Sequence, residues 1–272
     1  MMKASRRFIF HFLEVMIMFR NLYADTRSIL LSRAFRIALW AIVIYQGFYL
    51  IFMKCLYAFI VGTALDADDI SFVFTGIAAF IVTAATLFIT DREFSNGCIR
   101  NKLISGVRRS DVFLSSVCGG MLQGAIYTIF AFLISAIFTM LFTAGFIDYS
   151  VPEVADYWLV TTMTSMAIGA FSTALVLMLG GNKLCYVIGL LLAFVMKVWD
   201  SFILDKLYPE KGSCTLIGAK LAVYRFVDKY IPYSYLMTRP HYDFGSYIIG
   251  CFAMVILSVV IGLIVFNKKE LK

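Results

Sequence analysis

"ITDREFSNGCIRNKLISGVRRSD", residues 89–111, is a charged island between two long apolar runs. Residues 70–90 precede it and residues 112–144 follow it. Each run reaches the roughly 20 residues that a helix needs to cross a hydrocarbon core of about 30 Å. The second exceeds that length, so its helix must tilt or extend beyond the bilayer. Working outward, further runs of this kind cover 37–62, 157–180, 184–204 and 246–266. Short polar links separate them: an acidic loop with Asp66, Asp68 and Asp69, another with Asp148, Glu153 and Asp156, and a tight "GGNK" turn at 180–183. Residues 205–245 form a longer segment, mixed polar and aromatic.

Composition agrees. Hydrophobic residues make up 61% of the 272 positions and charged residues 15%. Soluble domains hold about 45–50% and about 25%. A mean hydropathy of +0.87 leaves too little polar surface for a water-soluble fold of this length. The net charge of +7 does not indicate nucleic acid, because the basic residues lie at the ends of apolar runs rather than along one face. The six cysteines, Cys55, Cys98, Cys118, Cys185, Cys214 and Cys251, have neither metal-ligand nor CxxC spacing, and no disulfide framework is expected.

Lysine and arginine counts give the expected orientation. The first 36 residues carry seven, the island five, the 180–183 turn one and the C-terminal "NKKELK" three. The two short loops on the other side carry none. Both termini and the island are therefore expected in the cytoplasm. The basic N-terminal region has no unbroken apolar core and does not read as a cleavable signal. Within it, "SRRFIFHFLEVMIMFRNLY", residues 5–23, repeats Phe8, Phe12, Val15 and Phe19 at helical steps. That pattern suits a helix lying in the membrane interface; an ordinary amphipathic core helix is the other reading.

The island is too long for a simple turn. Over 94–104, Phe94, Cys98, Ile99 and Leu103 fall on roughly one helical face, while Arg100, Asn101 and Lys102 look elsewhere. A short amphipathic helix across the mouth of the bundle is expected, stopped at Ser105–Gly106. Arg108 and Arg109 then sit at headgroup level before the third span.

The stretch "EFSNGCIRNKLISGVRR", residues 93–109, placed after a second span, resembles the intracellular loop of type-2 ABC-transporter permeases, the membrane subunits of bacterial ATP-driven exporters. The likeness extends in outline over the whole chain. It implies an all-α integral membrane protein with one permease domain over 1–272. Its parts would be an N-terminal interfacial (elbow) helix within 1–36, six transmembrane helices, a cytoplasmic coupling helix between spans two and three, and short outer helices in 205–245 before span six. In such permeases the coupling helix docks into a groove of the ATPase. By resemblance, Glu93 is the acidic residue ending span two and Gly97 the glycine that turns the chain. Ile99, Arg100, Asn101, Lys102 and Leu103 are the docking surface beside Phe94, and Arg109 is the basic residue leading into span three. The implied partners are an ABC-type ATPase subunit, a second permease (identical or related), a hydrophobic or amphipathic substrate and the lipid of a bacterial plasma membrane. A simple solvated loop is the plainer reading of the island.

Intramembrane polar residues are the remaining candidates. Lys54 and Lys197 lie within spans one and five, where a charge either serves a pathway or snorkels outward. Asp200, three residues past Lys197, is placed to pair with it. Tyr45 and Gln46 lie near the middle of span one, lining a pathway or packing between helices. Gly120 and Gly124 permit close helix contact, within one subunit or between two. The tyrosine- and proline-rich 205–245 segment suits an interfacial cap on the outer side.

No HExxH, GxSxG or phosphate-binding glycine loop occurs, so catalysis by this chain is not expected. It would bind no cofactor itself, and ATP and Mg would belong to the partner ATPase. A peptide toxin, bacteriocin or antibiotic is the favoured cargo. An ATP-independent channel or scaffold is the alternative.

Overall fold

The computed structural model describes residues 20–62, 64–209, 216–236 and 244–269. Its described residues are mostly helical, with no strand among them. Residues 20–31 (α1) are followed by α2 (Arg33–Leu56), which continues as a π-helical turn over Tyr57–Val61. Then come α3 (Asp68–Ser71), α4 (Thr75–Ser95), α5 (Cys98–Ile104), α6 (Arg109–Phe142), α7 (Val151–Leu179) and α8 (Leu184–Leu207). Helix α9 (Ala219–Tyr230), a 3-10 turn at Pro232–Leu236 and α10 (Phe244–Lys268) complete the order.

Among the described residues, six helical stretches are long and apolar enough to cross a membrane: Arg33–Ile60, Asp68–Ser95, Arg109–Phe142, Val151–Leu179, Leu184–Leu207 and Phe244–Lys268. The chain is thus an all-helical, multi-pass membrane protein. The helices begin and end up to six residues away from the apolar runs because hydrophobicity marks the bilayer, whereas caps mark the helix. At α7, the Ser150 side chain and Glu153 form a capping box, with Pro152 in the first turn. The helix therefore starts well before the apolar run at 157. At 1.5 Å per residue the 34-residue α6 is about 51 Å long, so it extends past the hydrocarbon core. The interfacial helix expected over 5–23 lies, apart from residues 20–23, outside the described residues.

Helix α7 is the hub, packed by α6, α10 and α4. The α6–α7 seam is a backbone-to-backbone approach. A Cβ added at Gly124 would lie 2.2 Å from the Ser165 carbonyl oxygen, and one at Gly120 would lie 2.1 Å from Thr173 Oγ1. One at Gly169, on the α7 side, would lie 2.2 Å from the Gly120 carbonyl oxygen. Small residues let dispersion operate at close range where lipid supplies no hydrophobic drive. The Gly120/Gly124 pair therefore serves packing inside this chain. Beside it, Thr128 Oγ1 donates to Ser165 Oγ at 2.7 Å. Across α2 and α6, the Gln46 amide donates to Ser135 Oγ at 2.9 Å and to the Ala131 carbonyl at 3.2 Å.

The bundle has two distinct ends. One gathers the starts of α2, α6 and α8, the ends of α4, α7 and α10, and α5. Tyr186 of α8 donates to Asp91 of α4 at 2.9 Å, and Lys269 donates to the Met178 carbonyl of α7 at 2.9 Å. The opposite end carries the acidic links. There Asp68 accepts from the backbone N–H groups of Ile147 and Asp148 at 2.8 and 3.0 Å, and Tyr57 donates to Asp69. The α9–3-10 segment closes this second end. Pro232, Tyr233, Ser234, Tyr235 and Leu236 are all buried. Gly250 of α10 leaves room for the Tyr235 hydroxyl, which donates to the Lys229 carbonyl at 2.9 Å.

Candidate functional site

The α4–α5–α6 corner is shaped by two glycines. Asn96 ends α4, and Gly97 follows at φ 71°, a left-handed conformation that favours glycine. The chain reverses there and α5 begins at the next residue. Its stop is a Schellman motif: Gly106, at φ 89°, donates to the Leu103 carbonyl at 3.1 Å, and Val107 donates to the Lys102 carbonyl at 3.2 Å. The expected short helix and its glycine punctuation are both present.

Helix α5 is rooted on one side and open on the other. Ile99 is 2% exposed, sunk among Val112, Phe113 and Val117 of α6, Leu177 of α7 and Phe266 of α10. Phe94, Leu103 and Val107 pack against the same cluster. Cys98, expected on this inward face, is exposed instead. The first turn after Gly97 rotates α5 so that Ile99 and Leu103, four residues apart, take the inner stripe. Arg100, Asn101 and Ile104 point outward, and Ile104 is 73% exposed. The residues expected to form one docking surface thus divide. Ile99 and Leu103 are the root, and the free surface is Arg100 and Asn101 with Ile104 added.

Lys102 does neither job alone. It forms an ion pair with Asp25 of α1. Asp25 is buried, and its other carboxylate oxygen accepts from Ser115 Oγ of α6 at 3.0 Å. One carboxylate therefore ties α1, α5 and α6 together. Glu93 faces the same group, hydrogen-bonded with Ser28 of α1 and within electrostatic reach of Lys102. Sequence reasoning missed Asp25. Its only local signal is an acidic residue in a basic stretch, and its partners lie 77 and 90 positions away.

Arg109 holds α10. Its guanidinium donates to the carbonyls of Asn267 at 3.2 Å and Lys269 at 2.7 Å, the open C-terminal acceptors of that helix. Lys269 in turn bonds α7, and burial pushes its ammonium below the ordinary lysine range. Phe94 meets the α7–α8 turn, where a Cβ on Gly181 would come within 2.8 Å of its ring. Through Arg109, Lys269, Phe94 and Ile99, the α5 corner touches α6, α7 and α10 together.

The mid-membrane candidates do not form one group. Lys197 donates to the Gly76 carbonyl of α4 and lies 5.7 Å from the centre of the Phe80 ring. The space beside Gly76 also holds the Tyr45 hydroxyl, so Tyr45 and Lys197 do converge. Gln46 is turned away into the α2–α6 seam. Lys54 is exposed near the opposite end, 4.5 Å from the Phe142 ring centre. The expected Lys197–Asp200 pair is not formed. Asp200 is 1% exposed and faces Ser234 and Asp228 beneath the α9 cap. The two side chains start only about 60° apart around α8, but Lys197 is drawn to the Gly76 carbonyl of α4 and Asp200 to Ser234 of the 3-10 turn. Asp228 is itself buried. That burial raises its carboxyl above the usual range, against an opposing hydrogen bond with Tyr208.

Among the described residues no group of three or more His, Cys, Asp or Glu side chains is arranged to hold a metal ion. The five described cysteines are free thiols; Cys214 lies outside the described residues. No family model matches the chain, and no curated protein matches it.

Proposed function

We propose that this chain is the membrane-spanning permease subunit of an ATP-driven exporter. It would move a hydrophobic or amphipathic substrate, with a peptide toxin, bacteriocin or antibiotic favoured, out of a bacterial cell. A separate ABC-type ATPase supplies the energy, and ATP and Mg belong to that subunit. A second permease, identical or related, completes the pathway. The α5 end lies in the cytoplasm with both termini, and α9 with its 3-10 turn caps the outer face.

One observation carries this reading: α5 is a short, firmly rooted helix that presents an outward knob at the basic end of a six-span bundle. Ile99 anchors it in the cluster shared by α6, α7 and α10. The Asp25–Lys102 pair fixes it to α1. Arg100, Asn101 and Ile104 are left for a partner, an apolar contact ringed by charge and amide that suits force transfer and register. A displacement of α5 would reach three spans at once. A solvated loop has no need of such anchoring.

The test is capture of the partner. Full-length tagged protein, extracted gently from its own membranes, is expected to bring down a polypeptide with a Walker phosphate-binding loop. Isolation of the intact chain with no ATPase bound would sink the exporter reading and favour an ATP-independent channel or scaffold.

A further inference from the structure

A cleft of about 370 Å³ opens at the α5 end, between α1, the start of α2, the end of α4 and α5. Arg33 and Arg36 enter it from the first turns of α2, and Arg92 from the last turn of α4. Among the described residues none of the three forms an ion pair. Glu93 is the one carboxylate on the wall, and it is already hydrogen-bonded with Ser28 and faces Lys102. The cleft therefore keeps a net excess of two positive charges. The amino end of α2, a 24-residue helix, adds its own positive potential. The walls are not wholly polar. Leu31, 67% exposed, forms a greasy lip, and Ile89 lies deeper.

Arginines at span ends ordinarily spread over the headgroup layer. Here three arginines from two different spans line one concavity. A guanidinium fork matches phosphate oxygens in pairs, and two or more forks around one anion exceed the attraction of scattered surface charge. The apolar lip lies where an acyl chain would leave a headgroup. We propose that this cleft is a binding site for a phosphate-bearing anion, held by Arg33, Arg36 and Arg92, with an anionic membrane lipid as its source. The bound anion bridges α2 to α4 and so braces the corner from which α5 projects. This inference is independent of the exporter reading, since it concerns how the fold meets its membrane.

The test uses full-length protein in a neutral detergent, titrated with dioleoyl phosphatidylglycerol or dioleoyl phosphatidylcholine and followed by native mass spectrometry and thermal unfolding. Phosphatidylglycerol is expected to bind saturably and raise the unfolding temperature, with phosphatidylcholine much weaker. Arg33→Gln/Arg36→Gln/Arg92→Gln is expected to weaken the phosphatidylglycerol effect by at least roughly tenfold, because three charge-assisted contacts to the headgroup are lost together. Arg20→Gln/Lys183→Gln/Lys268→Gln removes three charges from the same end outside the cleft and is expected to stay within about twofold of the parent protein, since distant charges are screened. Should the triple variant not fold, Arg36→Gln and Arg92→Gln are measured singly, each expected to weaken binding. Inorganic phosphate separates the sources: competition at millimolar concentration assigns the cleft to free phosphate as well, and no competition assigns it to lipid. Equal binding of the two lipids, equal losses in both triple variants, or unchanged single variants would overturn the site.

Discussion

Lys102 of α5 is ion-paired to Asp25 of α1, and the same carboxylate holds Ser115 of α6. Removing Lys102 leaves a buried carboxylate with one neutral donor. Lys102→Ala is expected to destabilise the protein by about 2–4 kcal/mol. Asp25→Asn/Lys102→Ala should cost less than the sum of its singles. Thermal unfolding of the four proteins in one detergent checks the cycle; strict additivity would mean that the pair contributes nothing.

Ile104 and Arg100 are exposed, and on the exporter proposal they serve the partner rather than the fold. Arg100→Glu/Ile104→Asp is expected to leave the unfolding temperature within about 2 °C of the parent, because exposed substitutions change stability little. On that proposal the same variant should fail to capture an ATPase and should lose transport. Retained ATPase capture would remove α5 as the docking element. Ile99→Ala makes the opposite contrast. It empties a packed site and should cost about 2–4 kcal/mol, loosening α5 without altering its outer surface.

The glycine seam gives a sharp steric test. A Cβ at Gly124 would sit 2.2 Å from backbone, which no rotamer change relieves. Gly124→Ala is therefore expected to separate α6 from α7 and reduce the yield of folded protein severalfold, as judged by size-exclusion profile. A Cβ at Gly47 of α2 would meet nothing within 4 Å, so Gly47→Ala should be neutral or stabilising by up to about 1 kcal/mol.

Asp228 predicts a pH dependence. Its folded-state carboxyl titrates above the ordinary value because of burial, so the native state binds the proton more tightly than the unfolded chain. Stability from this group is full below the usual aspartate range and falls as pH rises towards the raised folded value. Asp228→Asn removes the penalty. It should be more stable than the parent at pH 7 and show a flatter unfolding-temperature profile through the acid range. Asp200, Tyr208 and Tyr235 surround the same carboxylate, so the profile is read as a difference between variant and parent. Parallel curves for the two proteins would reject the assignment.

The number and kind of elements follow from the chain alone. Unbroken apolar runs longer than a bilayer is thick, without the residue-by-residue alternation of a barrel strand, settle as helices, because lipid offers no partner for backbone polar groups. The six spans and the short helix bounded by Gly97 and Gly106 were therefore legible in order and approximate extent. Which way each side chain faces was not. Ile99 turned inward, Cys98 turned out, Asp25 found Lys102, and Lys197 left Asp200 for Gly76 only once α1, α4 and α6 were packed around them. Local hydrophobicity is a property of neighbours in sequence and survives any packing. Partner choice is a contest among groups tens of residues apart, decided by which helices approach closely enough to exclude lipid and water between them.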